Sequence, residues 1–585
     1  MTTTRSLSAA EAGAQITRDN ISWSALGNAA SITYGFRTSS PPGSYGSEST
    51  SFSRVNDAER AAVLATLGEW SAVANITFIP VDLQGFTNEA VMLFANFSVS
   101  TGNVAAHAYL PTTKDMSFAS PEGDLWFNLG SDPYTNLTPG TYNYSTVLHE
   151  IGHALGLDHP GNYNAGENRT ATYENNAFYI EDSLQYTVMS YFDASKTGAN
   201  HIFNNVTLQS LTPLRDDIVA IQRLYGANMS TRTGDTVYGF NSNADDQAFH
   251  LSGKGQAVFS IWDAGGTNTL DLSGYSTSQV IDLRPGAFSS AGALAKNISI
   301  APGALIHNAK GGSGIDTVTG NSFDNVITGG PGNDIVDGGG GTNTSVYRGA
   351  AKNYKITFTK EAAAFTVQDK VDTDGIDTLI SVQNLQFSDR VLDTNWFTKT
   401  ASLSGVQLTN LVQLYVATFN RAPDALGLDY WGSRLSDGMS LSAIASSFFA
   451  QPEAQAAYPT DQSTQTFVTQ VYSNVLGRAP DVEGLSYWAG QLQNSSVAKN
   501  TFLLAIIGGA TGPDVQYFGN KTSVGAHFAL AQGLSDPVWG KTVMSGVNGT
   551  AASVISANLQ TDTFAATAAS AASSDMVVNI LGIVA

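Results

Sequence analysis

Three of the eight histidines in this chain of 585 residues fall within one short stretch, His149-Glu150-Ile151-Gly152-His153-Ala154-Leu155-Gly156-Leu157-Asp158-His159. On a helix His149 and His153 stand one turn apart on the same face, so both imidazoles can reach one ion at ~2.0–2.1 Å while Glu150 flanks it without being a ligand. Gly156 can take a backbone conformation closed to other residues, letting the chain turn back so that His159 supplies a third nitrogen. Three neutral nitrogens leave one position of a tetrahedral zinc open, which marks a catalytic site, because water held there has its pKa lowered to roughly 7. Glu150 is then the base that takes the water's proton and later delivers it to a leaving amine.

Such a site needs a helix, and residues 146–155 read as one, entered through the apolar Val147 and Leu148 and ended by Gly156. Upstream, Ala62, Leu64, Leu67, Trp70 and Val73 recur at helical spacing over residues 56–75, and residues 76–80 and 91–94 read as strands. An amphipathic helix follows over residues 214–225, and a Gly, Ser and Thr patch begins near Ala227. These elements describe an α+β domain.

Two repeats follow. Residues 311–346 recur every nine positions as GGSGIDTVT, GNSFDNVIT, GGPGNDIVD and GGGGTNTSV. This is the period of a parallel β-roll, in which glycines turn tightly, carbonyls and Asp carboxylates face calcium, and Val318, Ile327 and Val336 fill the core. Further on, Tyr415, Arg421-Ala422-Pro423-Asp424, Gly427-Leu428 and Tyr430-Trp431 return as Tyr472, Arg478-Ala479-Pro480-Asp481, Gly484-Leu485 and Tyr487-Trp488, two copies of one helical module. The Arg-Ala-Pro-Asp stretch is read as a helix start, with Pro early in the helix, Asp at the cap, and Tyr and Trp as core. The stretch from Leu534 onward, rich in Ala, Ser, Thr and Val, is expected to be loosely ordered or to act as an export signal.

Charge and composition restrict the partners. A net charge of -21, from 49 acidic against 28 basic residues, argues against nucleic acid and for bound cations. With no cysteine there is neither a disulfide scaffold nor a thiolate nucleophile. No apolar run approaches the ~18–20 residues of a membrane span, and the N-terminus lacks the apolar core of a secretory signal.

The three-histidine motif together with Met189-Ser190-Tyr191 resembles the metzincin metalloproteases, specifically the serralysin family with its RTX calcium-binding β-roll. The likeness extends through Ile16-Thr17-Arg18, residues 67–78, His159-Pro160-Gly161 and residues 224–241, covering roughly residues 14–345. It implies that Met189 forms a turn beneath the zinc and that Tyr191 is a further zinc ligand that swings away to stabilise the oxyanion. It also implies that residues 105–110, with Ala106, His107, Ala108 and Tyr109, form the edge strand to which a peptide substrate adds.

The same resemblance carries calcium ligands onto Gly312, Gly314, Asp316, Gly330, Gly332 and Asp334, and a second set onto Arg232, Gly234, Thr236, Asp263, Gly265 and Asn268. Asn268, Asn325 and Asn343 stand where the family has an acid, so fewer and weaker ions are expected. It implies release from a Gram-negative bacterium by a type I secretion exporter, for which residues 575–578 resemble the acidic-then-apolar signal. His107, His201, His250, His307 and His527 are expected to be surface or hydrogen-bonded histidines.

The expected order is a zinc protease domain with a short N-terminal extension (1–230), a calcium-binding β-roll (231–350), a β-rich flank (351–400), an all-α tandem repeat domain (401–530) and a C-terminal segment (531–585). The function this implies is that of a secreted zinc endopeptidase acting on proteins or peptides. The alternative is a calcium-dependent surface or adhesion protein, contacting cell-surface components through its helical repeats, with a vestigial or self-processing protease domain. Intact Glu150 and Tyr191 favour the first.

Overall fold

A computed structural model describes residues 5–583 except 42–44, 83–84, 101–103, 132–133, 165–170, 254, 372–373 and 572. The start of the N-terminal extension and the last two residues of the apolar tail lie outside the described residues. The chain divides into two compact units, Met1–Gly330 and Pro331–Ala585.

In the first unit, helix α1 (Ala9–Ile16) starts at a capping box in which Ser8 and Glu11 satisfy each other's backbone N–H. After strand β1 (Ala30–Phe36) and the one-turn helix α2 (Ser47–Thr50), helix α3 (Asp57–Val73) starts at a second capping box, between Asn56 and Glu59. Strands β2 (Ile76–Pro80), β3 (Met92–Phe97), β4 (Ala106–Ala108) and β5 (Leu125–Asn128) complete a sheet of order β2-β1-β3-β5-β4. The first four of these run parallel. β3 and β5 are buried along their whole length, which is why residues 91–94, most of them in β3, read as an apolar run. β4 pairs antiparallel with β5 and is the edge strand, with His107 opposite Trp126.

Helix α4 (Tyr142–Ala154) carries the histidine motif. It begins four residues before the predicted start, because burial of Asn143, Tyr144 and Ser145 outweighs their weak helix propensity. Trp70 of α3 donates its indole N–H to Leu148 O at 3.1 Å, locking the two helices together. The helix Arg215–Tyr225 follows at the predicted place, with the Asp217 side chain accepting the Leu214 N–H.

The first unit ends in a β-rich region of three-residue strands. Val237–Gly239, Thr269–Asp271, Asn308–Lys310 and Val326–Thr328 pair in parallel as one sheet, and Val280–Asp282 pairs in parallel with Thr317–Thr319. Val318 and Ile327 point inward and are buried.

In the second unit, Ile335–Asp337 pairs in parallel with Ile376–Ile380, and Thr344–Val346 with Asn384–Gln386. Antiparallel strands Tyr354–Thr359 and Ala364–Asp369 extend the former sheet. Among the described residues eleven α-helices follow, from Asn395–Ala401 to Ala551–Ala568, and those after the first share one apolar core in which Tyr415, Phe448, Phe467 and Phe502 are buried. Asp424 and Asp481 cap the helices Ala425–Ser436 and Val482–Gln493 as expected, accepting the Gly427 and Gly484 N–H groups, each at 2.7 Å.

Three expectations about this unit are corrected. Pro423 and Pro480 precede the capping Asp instead of sitting in the first turn, and Tyr487 is 58% exposed, so only part of the repeated aromatic set is core. The stretch after Leu534 is ordered: Pro537–Met544 and Ala551–Ala568 are helices, and Val577–Leu581 adds in parallel to Tyr354–Thr359. Alanine favours helix without supplying apolar bulk, so a segment with few aromatics can still fold once the buried Val543, Met544 and Val578 anchor it.

Candidate metal centre and substrate edge

The turn that follows α4 decides the geometry of the site. Gly156 sits at φ +105°, and a Cβ there would lie 2.2 Å from Ile21 O, so no other residue fits. The chain reverses at this point and brings His159 back toward α4. His159 Nε2 lies 3.2 Å from His149 Nε2 and 3.1 Å from His153 Nε2. Ligands on one tetrahedral zinc at ~2.05 Å would stand about 3.3 Å apart. The three nitrogens therefore fit one such ion, and they form a cluster of potential metal ligands among the described residues.

Each ring is held by its other nitrogen. His149 Nδ1 is 2.7 Å from Val188 O, His153 Nδ1 is 2.6 Å from Leu157 O, and His159 Nδ1 is 3.2 Å from Asn164 Oδ1. With Nδ1–H donated outward, every Nε2 presents a lone pair to the shared point. Burial keeps the rings neutral: it pushes His149 down to about 4 and His159 to about 3, and burial followed by the two neighbouring rings takes His153 well below its ordinary value. Neutral imidazole is the form that binds a metal.

Glu150 is buried beside them, and its Oε2 has no hydrogen-bond partner among the described residues. Burial raises its pKa to about 8 against the lowering effect of the Ala108 N–H. A cation at the histidines would favour its charged form, and an unpartnered carboxylate oxygen is what a water-activating base requires.

Met189 lies fully buried under the helix, so close that a Cβ on Gly152 would come within 2.7 Å of its Sδ. Tyr191 is 40% exposed, with its ring 4.5 Å from that of His159 and 6.0 Å from that of His149. Ala106, His107 and Ala108 form β4, and the Tyr109 N–H continues its ladder to Asp124 O at 3.0 Å. His107 Nε2 and the Tyr109 hydroxyl meet Glu48 Oε1 at 3.0 and 3.1 Å, which fixes one face of this edge.

Several residues escaped the sequence reading. Tyr163 stacks on His159 with centroids 5.3 Å apart and donates to Asp182 Oδ1 at 2.8 Å, and the Ser190 hydroxyl donates to the same oxygen at 2.7 Å. Glu48, Asp182 and Asp217 carry no local motif, since they act through partners distant in the chain. The five remaining histidines all find partners, as expected: His107 at Glu48, His201 at Lys296 O, His250 at Ala244 O, His307 at the Asn268 N–H and His527 at Asp562.

The residues expected to hold calcium fall into local groups. Asp316 accepts the Gly312 and Gln279 N–H groups at 2.6 and 2.7 Å, and Gly314 lies in the same turn. Gly330, at φ +107°, approaches so closely that a Cβ would lie 2.0 Å from Gly312 O. In the second unit, Asp334 donates its N–H to Asp377 Oδ1 at 2.9 Å, and Gly332 lies where a Cβ on Gly375 would meet its carbonyl. Burial, then the neighbouring Asp334, pushes Asp377 up to about 8. Asp377 was legible, since Gly375-Ile376-Asp377-Thr378 repeats Gly314-Ile315-Asp316-Thr317.

Arg232 sits at φ +49°, and the Gly234 carbonyl accepts the Thr236 hydroxyl at 3.1 Å. Asp263 accepts the Gly265 N–H at 2.9 Å and the Tyr238 hydroxyl, and Asn268 reaches both Thr236 and Gly265.

Residues 44–182 match the family model described as Matrixin, residues 227–420 that described as Peptidase M10 serralysin C terminal, and residues 445–510 a domain of unknown function. The chain is similar to metalloprotease AprA of Pseudomonas entomophila, 43% identical over 53% of this chain and 63% of the relative. It is similar to serralysin A of Dickeya chrysanthemi, 42% identical over 53% and 63%, and to serralysin of Proteus mirabilis, 41% identical over 53% and 64%. The match thus spans less than two thirds of the length of these curated relatives.

Proposed function

We propose that this chain carries a serralysin-family metzincin unit followed by a β-rich serralysin C-terminal domain and a helical region, and that it is a secreted zinc endopeptidase. The observation that carries the reading is the convergence of His149, His153 and His159 Nε2 beside the buried carboxylate of Glu150. These three nitrogens would hold the metal, with Tyr191 beside them. When bound, zinc would supply Lewis-acid polarisation of a scissile carbonyl and would acidify the attacking water.

The chain's own residues do the rest. Glu150 accepts the proton of the attacking water and returns it to the leaving amine. The open edge of β4, at Ala106, His107, Ala108 and Tyr109, aligns a peptide as an added antiparallel strand, so the backbone amide network places the scissile bond beside Glu150. The Tyr191 phenol, half-exposed next to His159, donates to the developing oxyanion.

The short parallel strands of residues 237–346 are read as a calcium-binding β-roll, with ions at its Asp-bearing turns. Extracellular calcium modules bind at roughly 10⁻⁴–10⁻³ M, so such a roll would stay unfolded in a low-calcium cytosol and fold outside, which suits a type I exporter. Among the described residues no helix is long and apolar enough to cross a membrane. The helical repeats are proposed as the part that meets cell-surface components, and the five-part domain order expected from the sequence is retained as part of this proposal. Metal analysis tests the centre: wild type should purify with stoichiometric zinc and cleave casein in a chelator-sensitive way, while His159→Ala should lose both; wild type without zinc uptake would overturn the reading.

A further inference from the structure

The Asn-bearing turns of the β-rich region close by a chemistry of their own. Asn268 sends its side-chain NH₂ to Gly265 O at 3.1 Å and Leu305 O at 3.0 Å, and its Oδ1 accepts the Thr236 N–H at 2.9 Å. Asn325 sends its NH₂ to His307 O at 2.7 Å and Asn321 Oδ1 at 3.0 Å, and its Oδ1 accepts the Asn321 N–H at 3.0 Å. In the second unit Asn343 sends its NH₂ to Gly340 O and Ser381 O, both at 2.9 Å. All three side chains are buried.

The orientation of each amide follows from its neighbours. Acceptor oxygens converge on one terminal atom, which must then be the nitrogen, since an oxygen there would face lone pairs without a proton between them. Calcium requires the opposite: carbonyl and carboxylate oxygens turned toward a common point. In these turns the carbonyls are already taken by a neutral donor. Presenting the amide oxygen to an ion would break both NH₂ bonds of each clip. At the Asp turns the side chain is a carboxylate, which accepts where the amide donates: Asp316 accepts the Gln279 and Gly312 N–H groups.

The two kinds of turn are also segregated. In the first unit Asn268 and Asn325 directly precede strands 269–271 and 326–328 of one sheet, whereas Asp316 precedes strand 317–319 of the other. In the second unit Asn343 precedes strand 344–346, which pairs with 384–386, whereas Asp334 precedes strand 335–337, which pairs with 376–380.

We propose that the turns headed by Asn268, Asn325 and Asn343 are amide-closed and metal-free, and that calcium is taken only by the turns headed by Asp316 and by Asp334 with Asp377. This rests on the reading of the region as a calcium-binding β-roll. It replaces the weak ions expected at the Asn turns, including the set of Arg232, Gly234, Thr236, Asp263 and Gly265, with a built-in substitute for the ion.

The test measures calcium bound per full chain by equilibrium dialysis, and melting temperature in calcium and in chelator. Asn268→Ala, Asn325→Ala and Asn343→Ala should each lower the melting temperature equally in both media and leave calcium uptake unchanged. Asp316→Ala and Asp334→Ala should reduce uptake and lose only the calcium-dependent part of the melting temperature. Loss of bound calcium in any of the three Asn→Ala variants would overturn the proposal. Should an alanine variant not fold, the isosteric Asn325→Asp decides. It should melt lower than wild type in chelator and recover in calcium with an additional ion bound; a melting temperature in chelator equal to wild type would contradict the clip. Absence of any calcium uptake by wild type would refute the β-roll reading alone, because the chelator melting temperatures judge the clips separately.

Discussion

Asp217 and Val188 are joined at the floor of the histidine cluster: Asp217 Oδ2 accepts the Val188 N–H at 2.8 Å, while the carbonyl of Val188 lies 2.7 Å from His149 Nδ1. The same carboxylate accepts the Thr187 hydroxyl and the Leu214 N–H. One buried acid thus ties the turn before Met189 to the start of the helix Arg215–Tyr225 and, through the backbone of the single residue Val188, to a proposed metal ligand.

Asp217→Ala is expected to weaken zinc binding roughly 10- to 100-fold, because outer-shell partners fix ligand orientation. Competition with a fluorescent zinc chelator measures it, and unchanged affinity would remove Asp217 from the metal centre.

Gly156→Ala forces a Cβ to within 2.2 Å of Ile21 O at a φ of +105°. The chain must shift at the point that returns His159 to the cluster. A loss of at least ~1–3 kcal/mol in stability is expected, together with loss of stoichiometric zinc. Thermal unfolding with metal analysis checks both.

Lys521 is buried, its Nζ donating to Asn420 Oδ1 at 2.6 Å and Asn474 O at 2.9 Å, and among the described residues no carboxylate pairs with it. Burial lowers its pKa to about 8, below the value of about 10.4 expected in the unfolded chain. Between these values the unfolded state binds more protons, so stability should rise with pH from about 8 toward 10, by at most ~3 kcal/mol. Denaturant unfolding followed by tryptophan fluorescence at about pH 7.5 and 9.5 should show the gain in wild type, and a flatter profile in Lys521→Met.

Asp424 and Asp481 make equivalent caps in the two helical copies. Replacing either by Ala should cost about 1 kcal/mol. Asp424→Ala should cost more than Asp481→Ala, because Asp424 also lies 3.3 Å from the Arg421 guanidinium, which is held by Glu453 at 2.8 Å. Paired denaturation curves decide the order.

What the sequence made legible was whatever depends on close spacing. His149, His153, Gly156 and His159 lie within a turn or two of one another, so their convergence followed from helix geometry and one glycine. Likewise the nine-residue period placed the strands that bury Val318, Ile327 and Val336, and the repeated Asp marked two helix caps. The supports that stayed hidden act across the chain: Glu48 on His107, Asp182 on Ser190 and Tyr163, and Asp217 on Val188 are single acids without a local pattern. The order of the tail after Leu534 was not legible because it comes from tertiary anchoring, with Val577–Leu581 pairing as a strand beside Tyr354–Thr359.

The central claim is that Glu150 activates water at a zinc centre without holding the metal. Glu150→Gln changes the charge and basicity while keeping the shape, so the most direct measurement compares zinc content and casein hydrolysis of that variant with wild type in calcium. Zinc retained at wild-type stoichiometry with hydrolysis reduced by at least about 100-fold is the predicted result. Hydrolysis within a few-fold of wild type would contradict it.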